Sequence, residues 1–142
     1  MPPARRTLAA CAALALALGG CSTDRGKDDP IEVVKRYIES YDRGDLAVCD
    51  ELVTDRYIRA LGRAAHQNGR ETCEQLVRAA ERLDITLDVI PAVEEKGDVV
   101  NVQARLNVNG QQVTQDMRLR RQPNGDLLVD RVDQLFSGAV KR

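Results

Sequence analysis

The sequence predicts an α+β domain in which three or four helices are packed on a four-stranded antiparallel sheet. Between residues 30 and 83, apolar residues recur at helical spacing in segments that begin with capping residues. From residue 84 the period changes to two, and Asn109-Gly110, the strongest type of two-residue hairpin signal, separates two alternating segments. Helices followed by a run of strands indicate a plan in which the helices cover one sheet face.

The helical half divides at its capping residues. Asp29 followed by Pro30 is typical of a helix start, and Gly44 is typical of a helix end. We expect a second, short helix with Leu52 and Val53 on its apolar face, together with a third and a fourth helix. Their expected caps are Asp45, Thr54 and Asn68.

The hairpin turn imposes a register that the sequence itself can test. In this register each apolar residue of one strand meets an apolar residue of the next, as a sheet with one buried face requires. The apolar pairs are Leu106 with Val113, Val102 with Met117, and Val100 with Leu119. The first strand is expected to alternate regularly from Ile85 to Val93.

The last strand is predicted to run from Leu127 to Phe136, after a turn at Asn124-Gly125. A two-residue turn there would place Arg118 opposite Arg131, and like charges directly opposite each other are unfavourable. We therefore expect a longer loop or a bulge. Because either would change the register, the sequence does not determine which face of the sheet Asp130 occupies.

Residues 1–20 predict a lipoprotein signal peptide. Arg5 and Arg6 precede the uncharged run Leu8–Leu18, which is too short to span a membrane as a helix. The run ends in Leu18-Gly19-Gly20-Cys21, which resembles a bacterial lipobox. The resemblance implies cleavage before Cys21, lipid on its thiol, and attachment at the extracytoplasmic face of the cell membrane. Residues 22–29 contain no large apolar residue, so we expect a flexible tether over residues 21–29. The alternative is an ordinary secretory signal with a chance cysteine.

The cysteines that remain in the exported domain are Cys49 and Cys73. An oxidising compartment favours a disulfide between them, with two buried thiols as the alternative. A metal site is not expected, because His66 is the only histidine. Lys and Arg total 21 against 22 for Asp and Glu, so the overall charge favours neither nucleic acid nor a polybasic membrane footprint.

Three segments resemble the nuclear transport factor 2-like domain of small secreted lipoproteins from high-GC Gram-positive bacteria. They are Val33–Tyr41, Gly44-Asp45 and Asn124–Val129, together with Cys49 and Cys73. The resemblance extends from Asp29 to about Phe136, and residues 30–138 are predicted to form one domain. Leu127 departs from it, since relatives often carry Trp there. The resemblance implies a sheet rolled into a cone that can hold an apolar molecule, and a cysteine pair linking the second and third helices. The cystatin-like roll is a rival, but its single helix does not account for residues 45–83.

Some relatives, such as ketosteroid isomerases and polyketide cyclases, transfer protons inside the cone. That chemistry needs a base and a donor for the developing oxyanion. Residues that could line the cone here are Tyr37, Tyr41, Tyr57, Gln115, Met117 and Asp130. The alternatives are packing tyrosines, a Gln115 that reaches solvent, and an outward Asp130 paired with Arg120 or Arg121.

The function predicted from these observations is a non-catalytic surface lipoprotein that binds a small apolar ligand, a peptide or a partner protein. No nucleophile elbow, phosphate loop or metal motif is present in the sequence, and no cofactor is expected. An isomerase-type enzyme and a dimerisation module are the alternatives. The outer sheet face is too charged for an obvious dimer interface, so a monomer or weak homodimer is expected. That face carries Asn101, Gln103, Arg105, Thr114, Asp116, Arg118 and Arg120.

Overall fold

A computed structural model describes residues 28–133, which form four helices followed by four strands. In chain order these are α1 (Pro30–Asp42), α2 (Val48–Glu51), α3 (Asp55–Ala65), α4 (Gly69–Ala80), β1 (Ile85–Lys96), β2 (Val99–Val108), β3 (Gln111–Arg121) and β4 (Leu127–Val132). The α+β prediction is confirmed. The predicted signal peptide, Cys21, most of the tether and the chain beyond residue 133 lie outside the described residues. Among the helices of residues 28–133, none is long and apolar enough to cross a membrane.

Three of the predicted helix caps form as expected. The side chains of Asp29, Thr54 and Asn68 accept hydrogen bonds from the first backbone N–H groups of α1, α3 and α4. The second helix is shorter than predicted. It is a single turn, because Val53 leaves it to form a parallel bridge with Val129 of β4. The prediction that Leu52 and Val53 lie on the face of this helix is therefore wrong.

The strands form one antiparallel sheet in the order β1-β2-β3-β4. The predicted β2–β3 register is confirmed, including Leu106 opposite Val113 and Val102 opposite Met117. Asn109 and Gly110 adopt φ values of 50° and 80°, which a type I′ turn requires at both central residues.

The first strand does not alternate regularly, and that prediction is wrong. The pairing with β2 shifts between Leu87 and Val89 and again between Val89 and Ala92. As a result Val89 lies opposite Arg105 and is exposed. Pro91 lies in this irregular stretch at the sheet edge, where a residue without an N–H is tolerated.

The connection to β4 contains both a longer loop and a bulge. The strands pair from Arg121 opposite Leu127, which leaves a five-residue loop, and the register shifts between Arg118 and Leu119. Because of this bulge, Arg118 lies opposite Arg131, the pairing that a two-residue turn would also have produced. The charge of Arg131 is compensated by Asp133, whose Oδ1 lies 2.6 Å from Arg131 Nε.

The core lies between the helices and the inner face of the sheet, the face that carries Val102, Ala104 and Leu106. The buried disulfide Cys49–Cys73 crosses this layer, with its Cα atoms 6.0 Å apart. The predicted disulfide is confirmed, although it joins α2 to α4 rather than the second helix to the third. Asp28, within the predicted tether, contacts the domain, because its Oδ2 accepts a hydrogen bond from the Leu127 N–H.

Candidate functional site

The three tyrosines form one buried cluster between α1 and α3. Tyr37 and Tyr41 lie one turn apart on α1, with ring centroids 4.8 Å apart. The hydroxyls of Tyr37 and Tyr57 are hydrogen-bonded at 3.1 Å. Burial raises the pKa of all three phenols, and raises the pKa of Tyr37 and Tyr41 well above the ordinary tyrosine value. The cluster is therefore uncharged at neutral pH and packs within the core.

Asp130 is buried and connects β4 to the start of α3. The Thr54 hydroxyl donates to Oδ1 of Asp130 at 2.8 Å and accepts from the Tyr57 backbone N–H at 3.1 Å. Oδ2 of Asp130 lies 3.5 Å from Arg120 Nε and 4.0 Å from Arg56 Nη1. Arg120 is one of the two partners expected from the sequence. The carboxylate thus accepts a hydrogen bond from a helix cap and lies beside two guanidinium groups.

Gln115 and Met117 lie on the inner face of β3. Gln115 is opposite Ala104 and is 2 % exposed, so it does not reach solvent at the sheet edge. Its side-chain amide donates to the carbonyl oxygen of Asp133. Met117 is opposite Val102 and is also buried. Sequence reasoning placed both residues on the correct face, but the Asp133 contact depends on the bulged β3–β4 register.

The structure separates the sequence-predicted cavity residues into these three groups. Thr54 lies between two of them, since its hydroxyl contacts both the backbone of Tyr57 and the carboxylate of Asp130. Of the six residues predicted to line the cone, only Met117 lines any of four surface depressions formed by residues 28–133. Met117, Val102 and Leu119 are all buried and belong to the hydrophobic core between the helices and the sheet.

A depression of about 240 Å³ lies on the outer face of the sheet, opposite the helices. Its polar lining residues come from all four strands and the residue after β4: Glu94, Asn101, Gln103, Asp116, Arg118, Arg131 and Asp133. Apolar residues also line it, namely Ala92, Val93, Val102 and Met117. Sequence reasoning assigned the polar β2 and β3 members to this face but did not recognise a site. Their convergence with Glu94 and Arg131 depends on the bulged registers of the two outer strand pairs.

Arg118 stands out among the charged groups of this depression. Asp116 accepts from the Gln103 side chain at 3.1 Å, and Asp133 pairs with Arg131. The Nε atom of Arg118 is buried and has no hydrogen-bond partner. Within residues 28–133, no carboxylate lies within 4.0 Å of the Arg118 guanidinium group, so this positive charge is not compensated by an ion pair.

No protein-family model and no curated protein matches the sequence. Among solved structures, a five-substitution variant of the designed protein Rd1NTF2_05 superposes with a TM-score of 0.52 at 15% identity, covering 72% of this chain and 94% of that one. The fold is nuclear transport factor 2-like. The designed protein "Rd1NTF2_05 with long sheet" has a TM-score of 0.46 at 18% identity over 74% of this chain and 94% of that one. A de novo designed protein with a curved β-sheet has a TM-score of 0.39 at 20% identity, over 46% and 62%.

The two faces of the sheet differ in this domain. Its helices cover the inner sheet face, and its outer face carries the depression around Arg118.

Among residues 28–133, no three His, Cys, Asp or Glu side chains are grouped so that they could hold a metal ion.

Proposed function

We propose that this protein is a lipoprotein, anchored through Cys21 at the extracytoplasmic face of the membrane, whose domain is non-catalytic. In this proposal it binds a partner protein through the outer sheet face, with one carboxylate side chain of the partner against Arg118. The lipobox-like Leu18–Cys21 supports the anchor. The Cys49–Cys73 disulfide supports export, because disulfides persist mainly in oxidising compartments.

The observation that carries the binding proposal is the Arg118 guanidinium group in the outer depression, which has no carboxylate within 4.0 Å among residues 28–133. A carboxylate oxygen of a partner would form a charge-assisted hydrogen bond with this half-buried guanidinium group, worth about 1.5–3 kcal/mol. The depression is smaller than the roughly 300–1,000 Å³ of typical small-molecule sites. Its size therefore favours a side chain of a bound protein over a whole small ligand.

The inner face offers less support for catalysis or for an apolar ligand. Asp130, the candidate base, already accepts a hydrogen bond from Thr54 and faces two arginines. The space that an apolar ligand would need is occupied by packed side chains, including Met117 and Leu119. These contacts favour binding at the outer face over the isomerase-type alternative.

The anchor is tested by labelling growing cells with a fatty acid analogue. The wild-type chain and Cys11→Ser should incorporate the label, whereas Cys21→Ser should not. Cys11 is a matched control because it lies within the predicted signal peptide. Label retained by Cys21→Ser, or absent from the wild type, would contradict the lipoprotein proposal.

The binding surface is tested by placing a photo-crosslinking residue at Asn101, which lines the depression. We expect a covalent adduct with a partner on intact cells, reduced at least about tenfold by Arg118→Glu, the scale of one lost charged hydrogen bond. Arg105→Glu is the matched control, since Arg105 lies on the same outer face but not in the depression. An adduct that survives Arg118→Glu, or that both substitutions weaken equally, would refute the site.

A further inference from the structure

Helix α3 carries arginines along one exposed face. Arg56, Arg59 and Arg63 are all exposed. Their spacing of three and seven residues places them within about 60° around the helix and about 10 Å along its axis. The only acidic residue of the helix is Asp55, in its first turn. These three arginines are called the α3 arginine stripe below.

The charges of the stripe are poorly compensated. Within residues 28–133, neither Arg59 nor Arg63 has a carboxylate within 4.0 Å, and Arg56 reaches only Asp130, at 4.0 Å. By contrast, Arg70 of α4 lies 2.7 Å from Asp50 and 3.1 Å from Glu74. The near-neutral total charge of the chain therefore conceals a local basic surface.

The stripe lies near the point where the N-terminal segment joins the domain. The Thr54 N–H, at the start of α3, donates to the Val129 carbonyl at 2.9 Å, and the Leu127 N–H donates to Asp28 at 3.2 Å. These two positions of β4 are separated by about 7 Å. The chain between Cys21 and Asp28 can span at most about 25 Å. A membrane attached at Cys21 is therefore within reach of α3.

We infer that the α3 arginine stripe docks on anionic phospholipid headgroups of the membrane that holds the Cys21 anchor. The inference rests on the proposed anchoring. Each basic residue near an anionic bilayer strengthens partitioning by about fivefold at physiological salt. Helix α3 is on the helical side of the domain, so docking through it leaves the outer depression around Arg118 open to a partner.

The test uses residues 21–142 with Cys21→Ser, which contain every described element but no lipid. We expect this protein to co-sediment with mixed phosphatidylglycerol and phosphatidylcholine vesicles, and not with phosphatidylcholine alone. Arg59→Glu/Arg63→Glu should weaken partitioning by at least about 25-fold, fivefold for each arginine removed. Arg78→Glu/Arg82→Glu is the control with the same net charge. These two arginines are exposed and unpaired within the described residues, and they lie outside the stripe.

The outcomes separate this inference from the anchor itself. Equal loss in both double variants would show dependence on net charge alone and would overturn the stripe. So would sedimentation with neutral vesicles, or binding to a soluble polyphosphate without binding to vesicles. If Cys21 is labelled with fatty acid but the unlipidated protein does not co-sediment with anionic vesicles, the anchor proposal is supported and the stripe inference is wrong. Should the glutamate variant fail to fold by circular dichroism, Arg59→Gln/Arg63→Gln replaces it, with an expected loss of about 25-fold.

Discussion

Thr54→Val should reveal how strongly the Thr54–Asp130 contact holds α3 against the sheet. The Thr54 hydroxyl caps α3 at the Tyr57 N–H and donates to the buried Asp130 carboxylate. Valine keeps the shape but removes the cap, worth about 1 kcal/mol, and the hydrogen bond to a charged group, worth about 1.5–3 kcal/mol. The side chains of Arg56 and Arg120 are 63% and 38% exposed, so solvent screens their attraction to the Asp130 carboxylate. They therefore compensate only weakly for the lost hydrogen bond from Thr54. The free energy of unfolding should therefore fall by about 3 kcal/mol.

Equilibrium urea denaturation measures this loss. Thr54→Ser keeps the hydroxyl and should remain within about 1 kcal/mol of the wild type. A double-mutant cycle of Thr54→Val with Asp130→Ala should give a coupling energy of about 1.5–3 kcal/mol. A loss below about 1 kcal/mol together with a coupling near zero would refute a structural role for the contact. Asp130 would then be free for another function, including that of a base.

Three further predictions concern stability. Reducing Cys49–Cys73, which closes a loop with a sequence separation of 24, should lower the free energy of unfolding by about 3.5 kcal/mol in urea. Gly69→Ala should destabilise by several kcal/mol in the same assay, because its Cβ would overlap the carbonyl oxygen of Ile58. The raised pKa of Tyr37 stabilises the folded state fully below the ordinary tyrosine pKa of about 10. That stability should be lost as pH rises toward the folded-state pKa, and tyrosinate absorbance should appear together with unfolding.

Local signals in the sequence determined most of the helices and the central hairpin. A cap such as Asn68 acts on N–H groups two and three residues away, and the turn at Asn109-Gly110 sets its own register. The same register predicts Gln115 opposite Ala104, and the two residues are paired in the sheet. Such features can be predicted because the interacting groups are near neighbours in the chain or are related by a fixed pairing rule.

Only the tertiary structure decided the features that join distant segments. The register shifts involve the two edge strands, β1 and β4, and the shift in β4 falls at Asp130, which contacts Thr54, 76 residues away in sequence. The spacing of Arg59 and Arg63 on one helix face can be read from the sequence, but their lack of carboxylate partners cannot. Whether an ion pair or a bulge forms depends on which distant segments are in contact in the folded protein, and the sequence of one segment alone does not determine that contact.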